Sequence, residues 1–205
     1  MKAPIPVNLA VEDSLSEAII RVLLLRSNRR FAVGICYGSG GYGYLKKTIG
    51  GFNNAAKGTP FIVLTDLDTT PCPPALIQNW ISKPLHHNLL FRIAVREVES
   101  WVLAHASAFA AFLSIDPIAI PSNTDGITDP KKFLIKLASK SPKSGIRKDI
   151  IPPPGSLREQ GPDYNGRLIE FIQSYWSPAQ ARKRSDSLAR TIDALNIFTP
   201  MWRRR

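Results

Sequence analysis

The sequence predicts an α/β fold: a four-stranded parallel sheet flanked by helices, followed by a basic, helical C-terminal part. Three observations predict it. Over residues 5–113, short runs of strand formers alternate with runs of helical period. Acidic residues stand where the strand runs end. Beyond residue 113 the strand runs stop and positive charge accumulates, so the chain is expected to divide into a core over 1–113 and a basic loop-and-helix part over 114–205.

Residues 5–11 read as the first strand, and 14–25 as a helix with Asp13 or Ser14 placed to cap it. Residues 31–37 form the second strand, and the glycine-rich turn 38–43 leads into a helix over 44–56, weakened in the middle by Gly50-Gly51. The third strand is Phe61-Ile62-Val63-Leu64-Thr65, followed by the turn Pro71-Cys72-Pro73-Pro74 and a short helix over 75–81. A fourth strand over 89–95 precedes a long apolar helix over 98–113. Strands alternating with helices imply parallel pairing and right-handed crossovers. In the second half, 114–128 is loop-like, and 130–138 is a helix capped by Asp129. The stretch 139–161 is rich in Pro, Gly, Ser and Lys, too long for a simple turn, and reads as a mobile or binding loop. Helices over 165–175 and 178–195 follow, and the tail ends in Arg203-Arg204-Arg205.

Ligands of parallel α/β sheets bind beyond the carboxyl ends of the strands. Glu12 follows the first strand, Asp66 and Asp68 the third, Glu97 and Glu99 the fourth. Alternate residues of an extended chain point the same way, so Asp66 and Asp68 are expected to face one spot. Two anions so placed repel unless a cation lies between them, and a hard divalent ion is the usual resolution. The helix-capping role of such acids is the competing explanation.

The formal net charge is +11, with 11 Lys/Arg against 7 Asp/Glu in residues 1–110 and 16 against 9 in residues 111–205. That excess favours a polyanionic partner, nucleic acid first. Lys143, Arg147 and Lys148, together with Arg182, Lys183 and Arg184, are the candidate phosphate-binding residues. Tyr164 with Arg167, and Trp176 with the 182–184 run, mix aromatics and cations as a phosphate-tracking surface does. No stretch has transmembrane length, and the start is too poor in apolar residues for a secretion signal. Cys36 and Cys72 do not make a zinc set and read as reduced thiols of a cytoplasmic protein. His105, in an apolar run, reads as a packed, hydrogen-bonded side chain.

Val11-Glu12-Asp13 opening a helix, then Leu64-Thr65-Asp66-Leu67-Asp68, resembles the toprim signature: a glutamate after the first strand and Asp-x-Asp after the third. The run Arg96-Glu97-Val98-Glu99-Ser100-Trp101-Val102-Leu103-Ala104 resembles a motif of small bacterial toprim-like proteins related to the OLD nucleases, encoded beside ATPases in phage-defence or mobile-element loci. The resemblance covers about residues 5–113, with a further likeness over 161–195. It implies a toprim-like sheet and Mg²⁺- or Mn²⁺-dependent cleavage of nucleic acid, DNA before RNA. Glu12, Asp66 and Asp68 would be the metal ligands, with Glu12 alternatively the general base. Glu97 and Glu99, from their place after the fourth strand, are further candidate catalytic acids, or else begin the next helix and pair with Arg92 or Arg96. The resemblance also implies an ATPase partner. The toprim glutamate is often followed by glycine; here Asp13 follows, and Glu17 is a candidate for the second helix-start acid of the nuclease branch. Three other readings stay open: a non-catalytic toprim-like module that binds nucleic acid or an ATPase, a nucleotide-binding enzyme using the Gly-x-Gly-x-x-Gly turn at 38–43, and a phosphatase of small substrates.

Overall fold

Four strands and the helices between them follow the predicted alternation. The computed structural model describes residues 3–38 and 40–202; the terminal Arg203-Arg204-Arg205 lies outside them. The chain divides into two units, one comprising residues 1–95 and 190–205, the other 96–189. The boundary therefore falls at 95/96 rather than 113/114. The apolar helical segment after the fourth strand belongs to the second unit, where its aromatic side chains are part of the core.

In the first unit, β1 (Ile5–Val11), β2 (Phe31–Tyr37), β3 (Phe61–Asp66) and β4 (Leu89–Ala94) form one all-parallel sheet in the order β2-β1-β3-β4. This is the α/β arrangement expected of a toprim-like fold. Strand formers supply both faces: β3 is buried along its whole apolar length. Ala10, Phe61, Val63, Leu89, Phe91 and Ile93 pack with Leu45, Ile49 and Phe52 of α2 (Gly41–Ala55) and Leu76 and Trp80 of α3 (Pro73–Trp80). The helix α1 (Ser14–Leu25) covers the opposite face, as right-handed crossovers running both ways from β1 require. Its start is fixed by Asp13, whose side chain accepts from the Ser16 amide at 2.8 Å.

The second unit is helical: α4 (Glu99–Ala104), α5 (Ala106–Leu113), a 3₁₀ turn (Pro117–Ala119), α6 (Pro130–Ala138), α7 (Ser144–Ile150), α8 (Tyr164–Ser174) and α9 (Pro178–Ala181). A final helix, α10 (Asp186–Ile197), begins in this unit and ends in the first. Trp101, Phe109 and Phe171 are fully buried, and Phe109 meets Phe171 edge-on at 5.1 Å. The Trp176 indole N–H donates to the Trp101 carbonyl at 2.9 Å, and that of Trp101 to Ser187 Oγ at 2.7 Å.

Helices α2 and α3 start three and two residues earlier than expected, α2 inside the glycine turn, and three departures are larger. The apolar segment 98–113 breaks at His105, whose backbone leaves helical geometry (φ −86°, ψ 61°); its Nδ1 accepts from the Ser177 amide at 3.0 Å. The segment 178–195 breaks at 182–185 because Ser185 Oγ accepts from the Leu188 amide at 3.1 Å and restarts the chain as α10. Asp125 accepts from Ser187 N at 2.8 Å and from Ser185 Oγ at 2.7 Å, holding that restart. The third, α7, lies inside a stretch read as loop; buried Ile146 and Ile150, four residues apart, give it a core-facing stripe.

Removing the α1 cap isolates one of these local determinants. Asp13→Ala is expected to lower unfolding free energy by about 1 kcal/mol in a urea titration; an unchanged midpoint would show that the cap is dispensable.

Candidate active site

From β1 the chain crosses to β2 through α1 on one face, and from β3 it crosses to β4 through α3 on the other. The pairing of β1 with β3 is thus the switch point of the sheet, and their diverging carboxyl ends border a crevice where ligands of such sheets bind. Val11 pairs with Leu64. The next residues out are Glu12 and Thr65.

Glu12 is held from three directions. The Thr65 hydroxyl and the Asp66 amide (2.9 Å) both donate to its Oε1, while its carbonyl accepts from the Gly41 amide at 3.1 Å. Burial pushes the Glu12 carboxyl above its ordinary range; the Thr65 and Asp66 bonds oppose this, and the charges of Asp68 and Asp13 add to it. Asp13 itself is taken up as the α1 cap. The contact of Thr65 with Glu12 could be read from sequence only with the β1–β3 register in hand.

Asp66 and Asp68 do not share an extended segment. Asp66 is the last residue of β3, and strand alternation puts it on the side of Ile62 and Leu64, opposite Thr65. Asp68 is exposed and takes a left-handed backbone conformation, φ 49°, in a turn where the Leu67 amide donates to Ala94 O at 2.9 Å. The premise that alternation aims both carboxylates at one spot therefore fails, because the chain leaves the strand between them. Asp68, brought round by the turn, acts on Glu12 through its charge. Among the described residues, no group of three or more His, Cys, Asp or Glu side chains is placed to hold a metal ion. Glu12 and Asp68 are nevertheless two carboxylates in one electrostatic environment, with Oε1 of Glu12 already bonded. Carboxylates are the ligand type that Mg²⁺ and Mn²⁺ take, one or two of them with water and phosphate completing the shell.

Glu97 and Glu99 belong to the second unit and have partners there. Glu97 Oε2 accepts from the Lys131 amide at 2.9 Å, at the first turn of α6, and Lys131 Nζ lies 3.6 Å from Oε1. Glu99 starts α4, is only 3% exposed, accepts from the Tyr164 hydroxyl at 3.0 Å and lies 3.8 Å from Lys131 Nζ. Burial pushes the Glu99 carboxyl up to about 7; Lys131 opposes the shift and Glu97 adds to it. Tyr164 and Trp176 are buried, so they form no phosphate-tracking surface. Arg167 is paired with Asp149 and Glu170, both at 2.8 Å.

Of the basic candidates, Arg182, Lys183 and Arg184 occupy the turn between α9 and α10 rather than a helix face. Lys183 Nζ donates to Gln180 Oε1 at 2.9 Å, and Arg184 anchors the 120–124 segment through Ile120 O and through its own carbonyl. Lys143 Nζ donates to Phe112 O at 2.8 Å. Arg147 and Lys148 lie on α7.

The glycine turn beside Glu12 leads into α2, which starts at Gly41 (φ +66°). A Cβ at Gly40 would fall 2.4 Å from the Tyr44 ring. Glu17, the alternative helix-start acid, pairs with Arg21 at 2.7 Å. Glu17 also raises the half-buried Cys36 thiol, which burial already pushes up, to about 11. Cys36 and Cys72 are both free. His105 is held below the usual imidazole range by burial, as a packed side chain should be. No helix among the described residues is long and apolar enough to cross a membrane. Comparison with protein-family models, curated proteins and solved structures found no match for this chain.

Glu99 makes a pH-dependent contribution whose sign is fixed. Its folded-state pKa is raised, so the stability that the neutral carboxyl contributes is complete below about 4.5 and lost as pH rises towards 7. Glu99→Gln keeps an acceptor for Tyr164 and removes the titration. The variant is expected to gain stability relative to the native chain between pH 5 and 8, by roughly 2 kcal/mol in urea unfolding. A difference that does not vary with pH would contradict the assignment.

Proposed function

We propose that this chain is a Mg²⁺- or Mn²⁺-dependent phosphodiesterase acting on nucleic acid, DNA before RNA. The observation that carries the reading is a partly buried carboxylate, Glu12, at the switch point of a parallel sheet, within electrostatic reach of Asp68. A protein with net charge +11 that nevertheless sets two acids together there is arranged to receive a cation. Glu12 and Asp68 would hold the ion. When bound, it would supply activation of a water and stabilisation of the leaving oxygen in an in-line displacement. Thr65 and the Asp66 amide orient Glu12 by fixing Oε1. The Asp66 carboxylate, on the other side of β3, has a smaller part in this arrangement. Glu97 and Glu99, each satisfied inside the second unit, support positioning of α4 and α6 rather than ion binding.

Cations of the second unit would neutralise substrate phosphates. The toprim resemblance adds the proposals of a phage-defence setting and an ATPase partner, and the free thiols support a cytoplasmic location.

Cleavage of a supercoiled plasmid in Mn²⁺, with and without EDTA, tests the reading. The native chain is expected to nick the plasmid, and EDTA to abolish nicking. Glu12→Gln and Asp68→Asn should each lower the rate by about 100-fold or more, and Asp66→Asn by less than either. Undiminished cleavage by the Glu12→Gln/Asp68→Asn double variant would overturn the assignment. Salt-sensitive DNA binding without metal-dependent cutting would favour the binding-module reading instead.

A further inference from the structure

The second unit carries two open grooves that meet at Pro162, of about 520 and 500 Å³. The first has an apolar floor of Ile151, Pro152, Pro153 and Pro154 and a rim carrying Arg147 and Lys148 of α7. The second is lined by Lys131, Arg158, Glu159 and Gln160. The loop between them is built rather than slack. Its ends are tied by the Gly161 amide to Ile150 O at 2.9 Å and the Asp163 amide to Asp149 O at 3.0 Å. A Cβ at Gly161 would lie 2.3 Å from Asp149 O, so only glycine allows this closure. Arg167 holds Asp149 from the other side at 2.8 Å.

The cations here differ from their neighbours. Lys132 and Arg167, on the same unit, each have a carboxylate at 2.8 Å. Arg147, Lys148 and Arg158 form no ion pair with the described residues; the Arg147 guanidinium is oriented by a bond to Ser141 O. Arg147 and Lys148 border the floor of proline rings, Arg158 lines the adjoining groove next to Glu159, and Leu157 at the loop tip is fully exposed. Proline has no N–H, so this floor offers rings and few donors. A ligand that suits it carries repeated anions and flat apolar faces on one flexible strand.

We propose that the two adjoining grooves bind one single strand of nucleic acid, with phosphates on Arg147 and Lys148 in the first and Arg158 in the second, and bases against Pro152–Pro154 and the exposed Leu157 at the loop tip. A duplex keeps its base faces stacked inside and would leave the floor and Leu157 uncovered. The proposal rests on the reading of nucleic acid as substrate and names the form of it that this unit takes.

Fluorescence anisotropy of the full chain in EDTA, with labelled oligothymidylate or its duplex with oligoadenylate, reads binding separately from cleavage. Absence of cleavage in the plasmid assay would therefore leave this test intact, and the reverse also holds. The single strand is expected to bind at least tenfold more tightly than the duplex. Lys148→Gln/Arg158→Gln, both at exposed positions, should weaken single-strand binding about tenfold and reduce the salt slope by about 1.4. Leu157→Ser should weaken the single strand with the slope unchanged. Equal affinity for duplex and single strand, competition by polyglutamate as effective as by oligothymidylate, or an unchanged slope in the double variant would each overturn the proposal.

Discussion

Everything proposed for the first unit depends on one partly buried carboxylate at the point where β1 and β3 part. Glu12 loses hydration there, and the Thr65 hydroxyl and Asp66 amide return only part of it, on a single oxygen. The same residue anchors its surroundings. Its carbonyl ties down the glycine turn through Gly41, and the next residue, Asp13, starts α1. A neutral side chain would occupy this position at lower electrostatic cost. A carboxylate kept here, with Asp68 in a left-handed turn within electrostatic reach of it, is the feature on which the proposed cation site rests.

The two units use charge in different ways. In the first, acids gather at the sheet's switch point. In the second, the acids Glu97, Glu99, Asp149 and Asp125 are bonded to backbone, hydroxyl or cationic partners and hold helices in place. Arg147 and Lys148 of α7 and Arg158 of the 151–162 loop form no ion pair among the described residues, and nor does Glu159 beside Arg158.

Much of the sheet was legible in the sequence because its strands are continuous apolar runs closed by turn residues. β1 and β2 have the expected limits, and β3 and β4 differ from them by one residue each. The strand order, and with it the switch point at Glu12, depends on pairing between distant segments that no local pattern carries. Helix breaks at His105 and Ser185 were hidden for a similar reason. Each is set by a bond to a residue far along the chain, Ser177 in one case and Asp125 in the other. Asp66 and Asp68 show the limit of periodicity: spacing of two gives a shared direction only while the backbone stays extended, and Asp68 is already in the turn. Tyr164 looked like a surface aromatic beside Arg167, yet helical spacing put it inside, on the buried Glu99.

The most direct test is equilibrium binding of Mn²⁺, followed by the EPR signal of the free ion, to the native chain and to Glu12→Gln/Asp68→Asn. The two substitutions are close in shape and leave Thr65 and the Asp66 amide an acceptor. Saturable binding by the native chain, weakened at least tenfold in the double variant, is the expected result. Mn²⁺ binding of equal affinity in both proteins, or none in the native chain, would contradict the assignment of Glu12 and Asp68 as a cation site.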